Sequence, residues 1–185
     1  MNNGFDRERG WGIYIESAAN VSIYDNFITG TAGIFYGWGI VAVDVSSMVV
    51  YNSTITRSSD AGIVLHSSTA INIINSTITE NEEYDFYLNE GSTVNCLNTT
   101  FNKYEVFFKD NESILNVSWH LGVNVRDAQY PVESADVIIY DLFSNDVFKG
   151  TTDTDGWITN IEIQEYMQNK TAMLNYTPHT VSAAK

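Results

Sequence analysis

The sequence contains few residues that cross-link a chain or break its strands, and few positive charges. It has one cysteine, Cys96, and two prolines among 185 residues, which excludes an internal disulfide framework. No run approaches the roughly 18 consecutive apolar residues of a membrane-spanning helix, so we expect no membrane span. Lys and Arg number 9 against 23 Asp and Glu, for a net charge of −14. Because phosphate backbones repel so acidic a chain, we expect no nucleic-acid partner.

Asn, Ser and Thr are abundant instead, and eight Asn residues lie in the N-x-Ser/Thr pattern that accepts N-linked glycans in exported proteins. A repeat rich in these three residues also produces such triplets by chance. The pattern, together with the acidic composition, favours an extracellular or cell-surface location. The candidate glycosylation sites are Asn20, Asn111, Asn116, Asn169 and Asn175.

The first ten residues contain no apolar segment of the kind found in signal peptides. The patterned part of the chain begins at Trp11 without a capping segment before it. We therefore expect the chain to be part of a longer exported protein. An uncovered end of the repeat presents an open sheet edge, which predicts self-association at that end.

Four segments of the chain repeat, with starts 27, 23 and 23 residues apart. They begin at Gly12, Gly39, Gly62 and Asp85, and a second apolar piece follows nine residues after each start. Apolar residues alternate within each piece, which is the spacing of strands rather than of helices. Short strands separated by polar bends predict a parallel β-helix of four to five coils over residues 1–112. The predicted inward columns are Ile13/Ile40/Ile63/Phe86, Ile15/Ala42/Leu65/Leu88, Val21/Met48/Ile71/Val94, Ile23/Val50/Ile73/Cys96 and Ile28/Ile55/Ile78/Phe101.

A polar column follows the second strand of each coil and consists of Asp25, Asn52, Asn75 and Asn98. Asn tolerates the tight backbone of a bend, and stacked side-chain amides form hydrogen bonds from coil to coil. The three Asn residues of this column are poor glycan acceptors if they form such a ladder. Cys96 lies in an inward column, which predicts a buried and inert thiol.

Gly-Ile-x-Leu starts, followed by Ile-x-Ile and by Asn-Ser-Thr-Ile-Thr at residues 52–56 and 75–79, characterise the repeat. This pattern resembles the right-handed parallel β-helix repeats of pectate-lyase-like and NosD-like proteins, which are common in archaeal and bacterial surface proteins. The resemblance covers roughly residues 10–112. It implies a fold and leaves the activity open, because the repeats encode a scaffold.

Beyond residue 112 the repeat stops, and a long alternation of apolar and polar residues begins at Leu115. This alternation, with further strands near 135–140, 147–151 and 157–164, predicts an antiparallel β-sandwich over residues 113–185. The segments Trp119-x-Leu-x-Val, Ala135-Asp-Val-x-Ile-Tyr and Gly150-Thr-Thr-Asp-Thr-Asp-Gly-Trp resemble carboxypeptidase-regulatory-like (transthyretin-like) modules of surface proteins. In that family the segment matching residues 176–185 leads into further chain, so the module is incomplete if the chain stops there.

No group of residues has a convincing catalytic or metal-binding spacing. Asp153 and Asp155 are as close as Ca²⁺ ligands often are, but the stretch lacks a further acidic ligand. A hairpin turn with Gly156 at a positive φ is the favoured interpretation. The three histidines show no metal-ligand spacing. We therefore predict no cofactor, no metal site and no catalytic residue in this segment, with Ca²⁺ as the one open alternative.

Acidic residues keep an enzymatic interpretation open. Pectate-lyase-like enzymes bind calcium through acidic residues on a β-helix face and use a nearby basic residue to remove a proton. The outward-facing candidates for such a role are Glu16, Asp44, His66 and Glu90, but a solvated face is the favoured interpretation because no pair of basic residues accompanies them. One loop region also gathers acids that two adjacent coils can hold about 5–9 Å apart for glycoside hydrolysis, namely Asp60, Glu80, Glu82, Glu83 and Asp85.

Aromatic residues precede most coil starts, at Trp11, Trp38, Tyr84 and Tyr104, and the loop from Gly30 to Gly37 adds Phe35 and Tyr36. Stacked rings on a β-helix ridge provide a platform for sugar rings. The alternative is that they cover a corner of the coil or a contact with another subunit. The candidate ligand-binding residues are Trp11, Tyr36, Trp38 and Tyr84.

The first interpretation is a noncatalytic extracellular cell-surface protein with a structural or adhesive role, whose partners are polysaccharide or cell-surface components. The alternative is a carbohydrate-active β-helix enzyme, a polysaccharide lyase or glycoside hydrolase, whose catalytic coils lie outside this segment. A NosD-like periplasmic accessory protein is the third interpretation, against which stands the lack of a His/Met/Cys cluster. A lyase releases unsaturated products, whereas an adhesin binds without cleavage.

Overall fold

The computed structural model describes residues 9–32 and 36–185, and Arg9 in its backbone only. Every helix or strand in these ranges is a β-strand, which confirms the all-β prediction. The chain divides into two compact units. The first comprises Met1–Asn116 and Gln168–Ala172, and the second comprises Val117–Met167 and Met173–Lys185.

The first unit is a solenoid of about five coils, in which each of the first three coils contains three short strands. Polar bends separate the strands, as the alternating sequence predicts. The strands of the successive coils are β1 (Arg9–Glu16), β2 (Val21–Tyr24) and β3 (Phe27–Thr29); β4 (Tyr36–Val43), β5 (Met48–Tyr51) and β6 (Thr54–Thr56); β7 (Ala61–His66), β8 (Ile71–Ile74) and β9 (Thr77–Thr79); β10 (Tyr84–Asn89) and β11 (Thr93–Leu97); and β12 (Val106–Phe108).

Equivalent strands of successive coils pair in parallel and form three faces of the solenoid. The first sheet has the order β1-β4-β7-β10-β12, and the third has the order β3-β6-β9. The strands β2, β5, β8 and β11 are neighbours in the second sheet. Residues one repeat apart lie opposite each other, as Ile13, Ile40 and Ile63 do in the first sheet. This register confirms the predicted inward columns for the residues within strands. Phe101 lies outside the strands, and its ring contacts that of the inward Phe86 at 5.1 Å.

The inward columns form the core, which is tightest in the middle coils. Ile40, Leu65 and Ile73 have no exposed surface, whereas Ile13 of the first coil is partly exposed. Cys96 is 1 % exposed, and burial raises the pKa of its thiol well above the ordinary range. The prediction of a buried cysteine is thus confirmed, and its thiolate form is strongly disfavoured.

Glycine recurs at the coil starts because successive backbones approach closely there. A Cβ on Gly39 would lie 2.5 Å from the carbonyl oxygen of Gly62 and 2.4 Å from Cγ2 of Ile55. Contacts that short do not occur with real side chains, so the position accepts only glycine without a shift of the core. The fourth coil has Asp85 at this position, and its carboxylate is buried inside the coil.

The bends use left-handed backbone conformations, which are costly for residues other than Gly, Asn and Asp. Three bend positions have a positive φ that recurs in successive coils, and Asn20, Ala70 and Gly91 have a positive φ besides these. The first set is Ser17, Asp44, Ser67 and Glu90; the second is Asp25, Asn52, Asn75 and Asn98; the third is Gly30, Arg57 and Glu80, all with φ between 48° and 63°.

The predicted polar ladder is confirmed along the second set of bends. Asn52 donates from Nδ2 to Oδ1 of Asp25 at 2.5 Å, and Asn98 donates from Nδ2 to Oδ1 of Asn75 at 3.2 Å. Because each amide offers both a donor and an acceptor, the column can continue from coil to coil.

Buried serines form further ladders that the sequence reasoning did not anticipate. Ser76 accepts from the backbone N–H of Ser53, and Ser92 accepts from that of Ser68, both at 3.1 Å. Ser113 accepts from the backbone N–H of Ser92 at the same distance. Backbone amides at the corners have no strand partner, so a hydroxyl from the next coil satisfies them.

The second unit is built from longer strands. The strand β13 (Ile114–Asn124) begins in the first unit and ends in the second. The remaining strands are β14 (Asp136–Tyr140), β15 (Asp146–Thr151), β16 (Trp157–Gln168), β17 (Met173–Asn175) and β18 (Thr180–Ala184). β14 pairs antiparallel with both β15 and β18, and β16 lies between β17 and β13. The core of the second unit consists of Val137, Ile139 and Ile161. The partly buried side chains packed against this core are Leu121, Val123, Val125, Phe148, Ile158 and Ile163.

We predict that Ile73→Ala lowers the free energy of unfolding of the protein by about 2–5 kcal/mol. Ile73 is fully buried between Val50 and Cys96, so the lost side chain leaves a cavity that neighbouring coils cannot fill. Urea unfolding followed by circular dichroism measures the change. The exposed control Thr69→Ala should stay within about 0.5 kcal/mol of the wild type. Equal losses in both variants would contradict the assignment of Ile73 to the core.

Candidate functional site

The outer face of the first sheet carries an open groove, which we call the aromatic groove. Its volume is about 560 Å³. A concave and largely apolar surface with a few polar groups is the usual form of a ligand site. The lining residues are Tyr36, Trp38, Ser59, Asp60, Val64, His66, Glu83, Tyr84, Tyr87 and Phe107.

The parallel register creates the concave shape. Trp38, Ala61 and Tyr84 occupy the same position in three successive coils. Since neighbouring strands are about 4.8 Å apart, the two large side chains start roughly 9–10 Å from each other. Ala61 lies between them and is fully buried. Both rings pack against the cluster of Val41, Ala61 and Val64, so the small side chain of alanine leaves the gap between them.

Aromatic rings form both walls of the groove. On one side Tyr36 stacks on Trp38, with ring centroids 5.1 Å apart and an interplanar angle of 29°. On the other side Phe107 contacts Tyr84 at 5.1 Å and Tyr87 at 5.2 Å. Rings held by one another expose a fixed face, which costs little conformational entropy when a ligand binds.

Asp60 is the carboxylate most closely tied to the rings. Its Oδ2 accepts a hydrogen bond from Nε1 of Trp38 at 2.6 Å, and its carbonyl oxygen accepts from the backbone N–H groups of Glu83 and Tyr84. Burial raises the pKa of Asp60, and the hydrogen bond from Trp38 opposes that rise. The carboxylate is thus fixed at the edge of the indole ring and holds its proton more readily than an exposed Asp does.

His66 lies at the other end of the lining and favours its neutral form. Burial lowers the pKa of His66; Glu90 acts in the opposite direction, and Lys109 adds to the lowering. The amide Nδ2 of Asn89 lies 3.1 Å from Nδ1 of His66 and can only donate. The neutral ring therefore accepts at Nδ1 and carries its proton on Nε2. The ring also contacts Tyr87 at 5.9 Å.

The structure separates the acidic residues that the sequence grouped together. Asp60 and Glu83 line the aromatic groove, and Glu80 is paired with Arg57 at 3.0 Å on the surface. Asp85 is fully buried and accepts hydrogen bonds from Nδ2 of Asn81 at 2.8 Å and from the backbone N–H of Asn102 at 2.7 Å. Burial raises its pKa. Glu82 is exposed and does not line the groove.

Of the four aromatic candidates, the structure brings three together. Tyr36, Trp38 and Tyr84 line the aromatic groove, whereas Trp11 does not. Trp11 packs on the same face of the sheet, with its ring 4.9 Å from that of Tyr14. Tyr104, the last member of the predicted series, is 83 % exposed in a turn and lies beside Lys103. Phe35 lies outside the described residues.

Sequence reasoning missed Tyr87 and Phe107. Both follow from the alternation within the first sheet, because Tyr87 lies between the inward Phe86 and Leu88 and must face outward. Its register partners in the neighbouring coils are Val64 and Phe107. The repeat alignment therefore indicates both rings, in an outward column different from that of Trp38, Ala61 and Tyr84.

The glycosylation candidates differ in their surroundings. Asn20, Asn111 and Asn175 are exposed. Asn116 donates from Nδ2 to Oδ1 of Asn95 at 3.0 Å, so a glycan on that nitrogen would have to displace this ladder bond. Asn169 uses Oδ1 to accept from the backbone of Thr171 and Ala172, which leaves the hydrogen bonds of its turn independent of Nδ2.

The stretch from Asp153 to Gly156 forms the predicted turn. Oδ1 of Asp153 accepts from the backbone N–H groups of Asp155 and Trp157 at 2.9 and 2.8 Å, and Gly156 has a φ of 76°. Within residues 9–32 and 36–185, no group of three or more His, Cys, Asp or Glu residues is arranged to hold a metal ion. The same residues include no helix long and apolar enough to cross a membrane.

Comparison with known proteins identifies the repeat. Residues 1–130 match the family model described as “Right handed beta helix region”. No curated protein and no solved structure matches the chain. The match covers every coil of the solenoid and well over half of the chain.

We predict that the tryptophan fluorescence of the protein changes with pH and that one of its transitions has a midpoint above 3.8, the ordinary pKa of Asp. Protonation of Asp60 removes the negative charge from the carboxylate that accepts the hydrogen bond of the Trp38 indole. The emission of Trp38 should change with that charge. Asp60→Asn should abolish this transition in a fluorescence pH titration. Glu165→Gln, which changes the carboxylate that accepts from Trp119, should leave it in place. An identical titration in wild type and Asp60→Asn would contradict the assignment.

Proposed function

The chain belongs to the right-handed β-helix family. We propose that it is a noncatalytic extracellular cell-surface protein that binds polysaccharide in the aromatic groove. The observation that carries the proposal is the set of five aromatic rings in one open groove. The apolar faces of sugar rings pack against aromatic faces, and hydroxyl groups at their edges bind polar side chains. Ser59, Asp60, His66 and Glu83 supply such polar groups.

The shape of the groove favours a chain of sugars over a single compact ligand. Its rings come from the second, fourth and fifth coils, so they follow the axis along which coils stack. Each step between coils is about 4.8 Å, close to the length of one sugar unit. A polymer lying along this axis meets rings at the second coil and again at the fourth and fifth, and each contact adds to the affinity.

An extracellular location is part of the proposal and draws on composition. The net charge of −14 keeps the surface solvated, and Asn20, Asn111 and Asn175 offer exposed acceptors for N-linked glycans. We propose further that the second unit is an antiparallel sandwich module of the carboxypeptidase-regulatory-like kind. The antiparallel pairing of β14 with β15 and β18 and the shared apolar core support this part.

A carbohydrate-active enzyme is the second candidate, and one observation favours it. Asp60 has a raised pKa and lies in the same groove as Glu83, which is the pattern of a general acid beside a second carboxylate. Such an enzyme would shorten the polysaccharide that it binds. Chromatography of oligosaccharides incubated with the protein therefore separates the two candidates, because a binding protein returns them intact.

We predict that Trp38→Ala and Tyr84→Ala each weaken polysaccharide binding about tenfold or more, the loss expected for an aromatic anchor. Affinity electrophoresis through gels containing neutral, amino-sugar or uronate polysaccharides measures retardation of the protein. Tyr104→Ala is the matched control, because Tyr104 belongs to the same unit and lies outside the groove.

Circular dichroism and thermal unfolding check that each variant is folded. Binding equal to that of wild type in a folded Trp38→Ala protein would contradict the proposal. So would a loss of retardation in Tyr104→Ala as large as that in Tyr84→Ala, since the effect would then not come from the groove.

A further inference from the structure

The charges in the aromatic groove are one-sided. Among the residues that the structure describes, the lining contains two carboxylates, Asp60 and Glu83, and neither a Lys nor an Arg. The basic side chain among the described lining residues is His66, which favours the uncharged form because burial lowers its pKa. Lys109 and Glu90 act on His66 with opposite signs, so their effects on that end of the groove partly cancel. The groove is thus negative where its carboxylates lie.

The aromatic walls have the same electrostatic preference. The faces of Trp and Tyr rings are negative, and a cation held over them is attracted. The rings of Trp38 and Tyr84 lie on the two sides of Ala61. They line the same groove as the carboxylates of Asp60 and Glu83. The backbone N–H of Glu83 donates to the carbonyl oxygen of Asp60. This bond holds the backbones of the two acidic residues next to each other in adjacent coils. Rings and carboxylates therefore favour the same kind of ligand group.

An acidic sugar would meet the opposite situation. A uronate carboxylate in the groove would lie beside Asp60 and Glu83 with no lining cation to compensate, on a protein with a net charge of −14. Like charges at short distance are unfavourable, and a partly buried setting strengthens the repulsion. A neutral sugar gains the ring contacts but leaves the carboxylates without an ionic partner.

We propose that the aromatic groove selects polysaccharides whose sugars carry free amino groups, with the ammonium held between the carboxylates of Asp60 and Glu83 and the faces of Trp38 and Tyr84. This inference rests on the proposed function and names the substrate class of the same site. Trp38 fixes Asp60 by the hydrogen bond to Oδ2, so the carboxylate that pairs with the ammonium is held next to the ring over which the sugar packs. Specificity arises from rejection of acidic polymers as much as from attraction of basic ones.

The test compares three hexasaccharides that differ in charge: a glucosamine hexamer, an N-acetylglucosamine hexamer and a galacturonic acid hexamer. Isothermal titration calorimetry is performed with the full chain at a pH at which the amino groups are protonated and which lies above the Asp60 midpoint found in the fluorescence titration, so that Asp60 is ionised. We expect the glucosamine hexamer to bind about tenfold more tightly than the acetylated one, as a partly desolvated cation–carboxylate and cation–π site provides. The galacturonic acid hexamer should bind least. Added salt should weaken the preference for the basic hexamer.

Two variants assign the preference to the groove. Asp60→Asn and Glu83→Gln should each lower affinity for the glucosamine hexamer about three- to tenfold more than affinity for the acetylated hexamer, because only the basic sugar loses an ionic partner. Glu82→Gln is the matched control, because it removes the same charge from the neighbouring residue, which is exposed and lies outside the lining. Glu83 is exposed as well, so Glu83→Gln tests the proposal without disturbing the core.

The outcomes separate this inference from the function on which it rests. Equal affinity for the basic and the acetylated hexamers, or a preference for the acidic one, overturns the inference and leaves polysaccharide binding intact. An equal loss in Glu82→Gln and Glu83→Gln also overturns it, since the effect then comes from overall charge. Failure of all three hexamers to bind contradicts the proposed function itself.

Discussion

Hydrogen bonding from one coil to the next is the constraint on which the first unit depends. Residues one repeat apart pair in parallel, so the backbone of each inner coil forms hydrogen bonds with both neighbouring coils and its inward side chains pack against theirs. A parallel pair cannot close by a short hairpin, and the chain must complete a full circuit before it returns to the same sheet. Where strands end, side chains continue the same connection, with serine hydroxyls inside the corners and Asn side chains outside them. Stability is therefore a property of the stack and not of any one coil.

The inward columns could be read from the sequence because three independent regularities coincide at each position. Spacing, alternation and recurrence all assign Ile40 and Ile63 to the same column, and the structure agrees. The Asn column was equally readable, since Asn is one of the few residues that accept the left-handed backbone of a bend. The other bend positions were not, because Arg57 and Glu80 have no intrinsic preference for a positive φ. Only the geometry of the closed circuit imposes that conformation on them.

The groove was only partly readable, and the reason lies in what a concave surface requires. Its rings come from three stretches of the sequence that are at least 20 positions apart, yet its depth is set by the small side chain of Ala61. Trp11 looked equivalent to Trp38 in the repeat, but Asp60 and Tyr36 give Trp38 its fixed position. Asp85 looked like a member of the acidic group and instead points inward, where Asn81 and Asn102 satisfy it. Direction, rather than spacing, separates these residues.

The repeat of left-handed bends fixes the circumference of each coil, and this bears on how such a protein diversifies. An added residue within a strand would rotate every following side chain by one position and expose a whole inward set. The stretch between β3 and β4 makes the first repeat 27 residues long where the following two are 23, and the strands on both sides of it remain in register. Variation in length is thus absorbed beside Tyr36, at one rim of the groove. In evolutionary terms, a change at this rim requires no change in the scaffold, so the groove and the fold can vary independently.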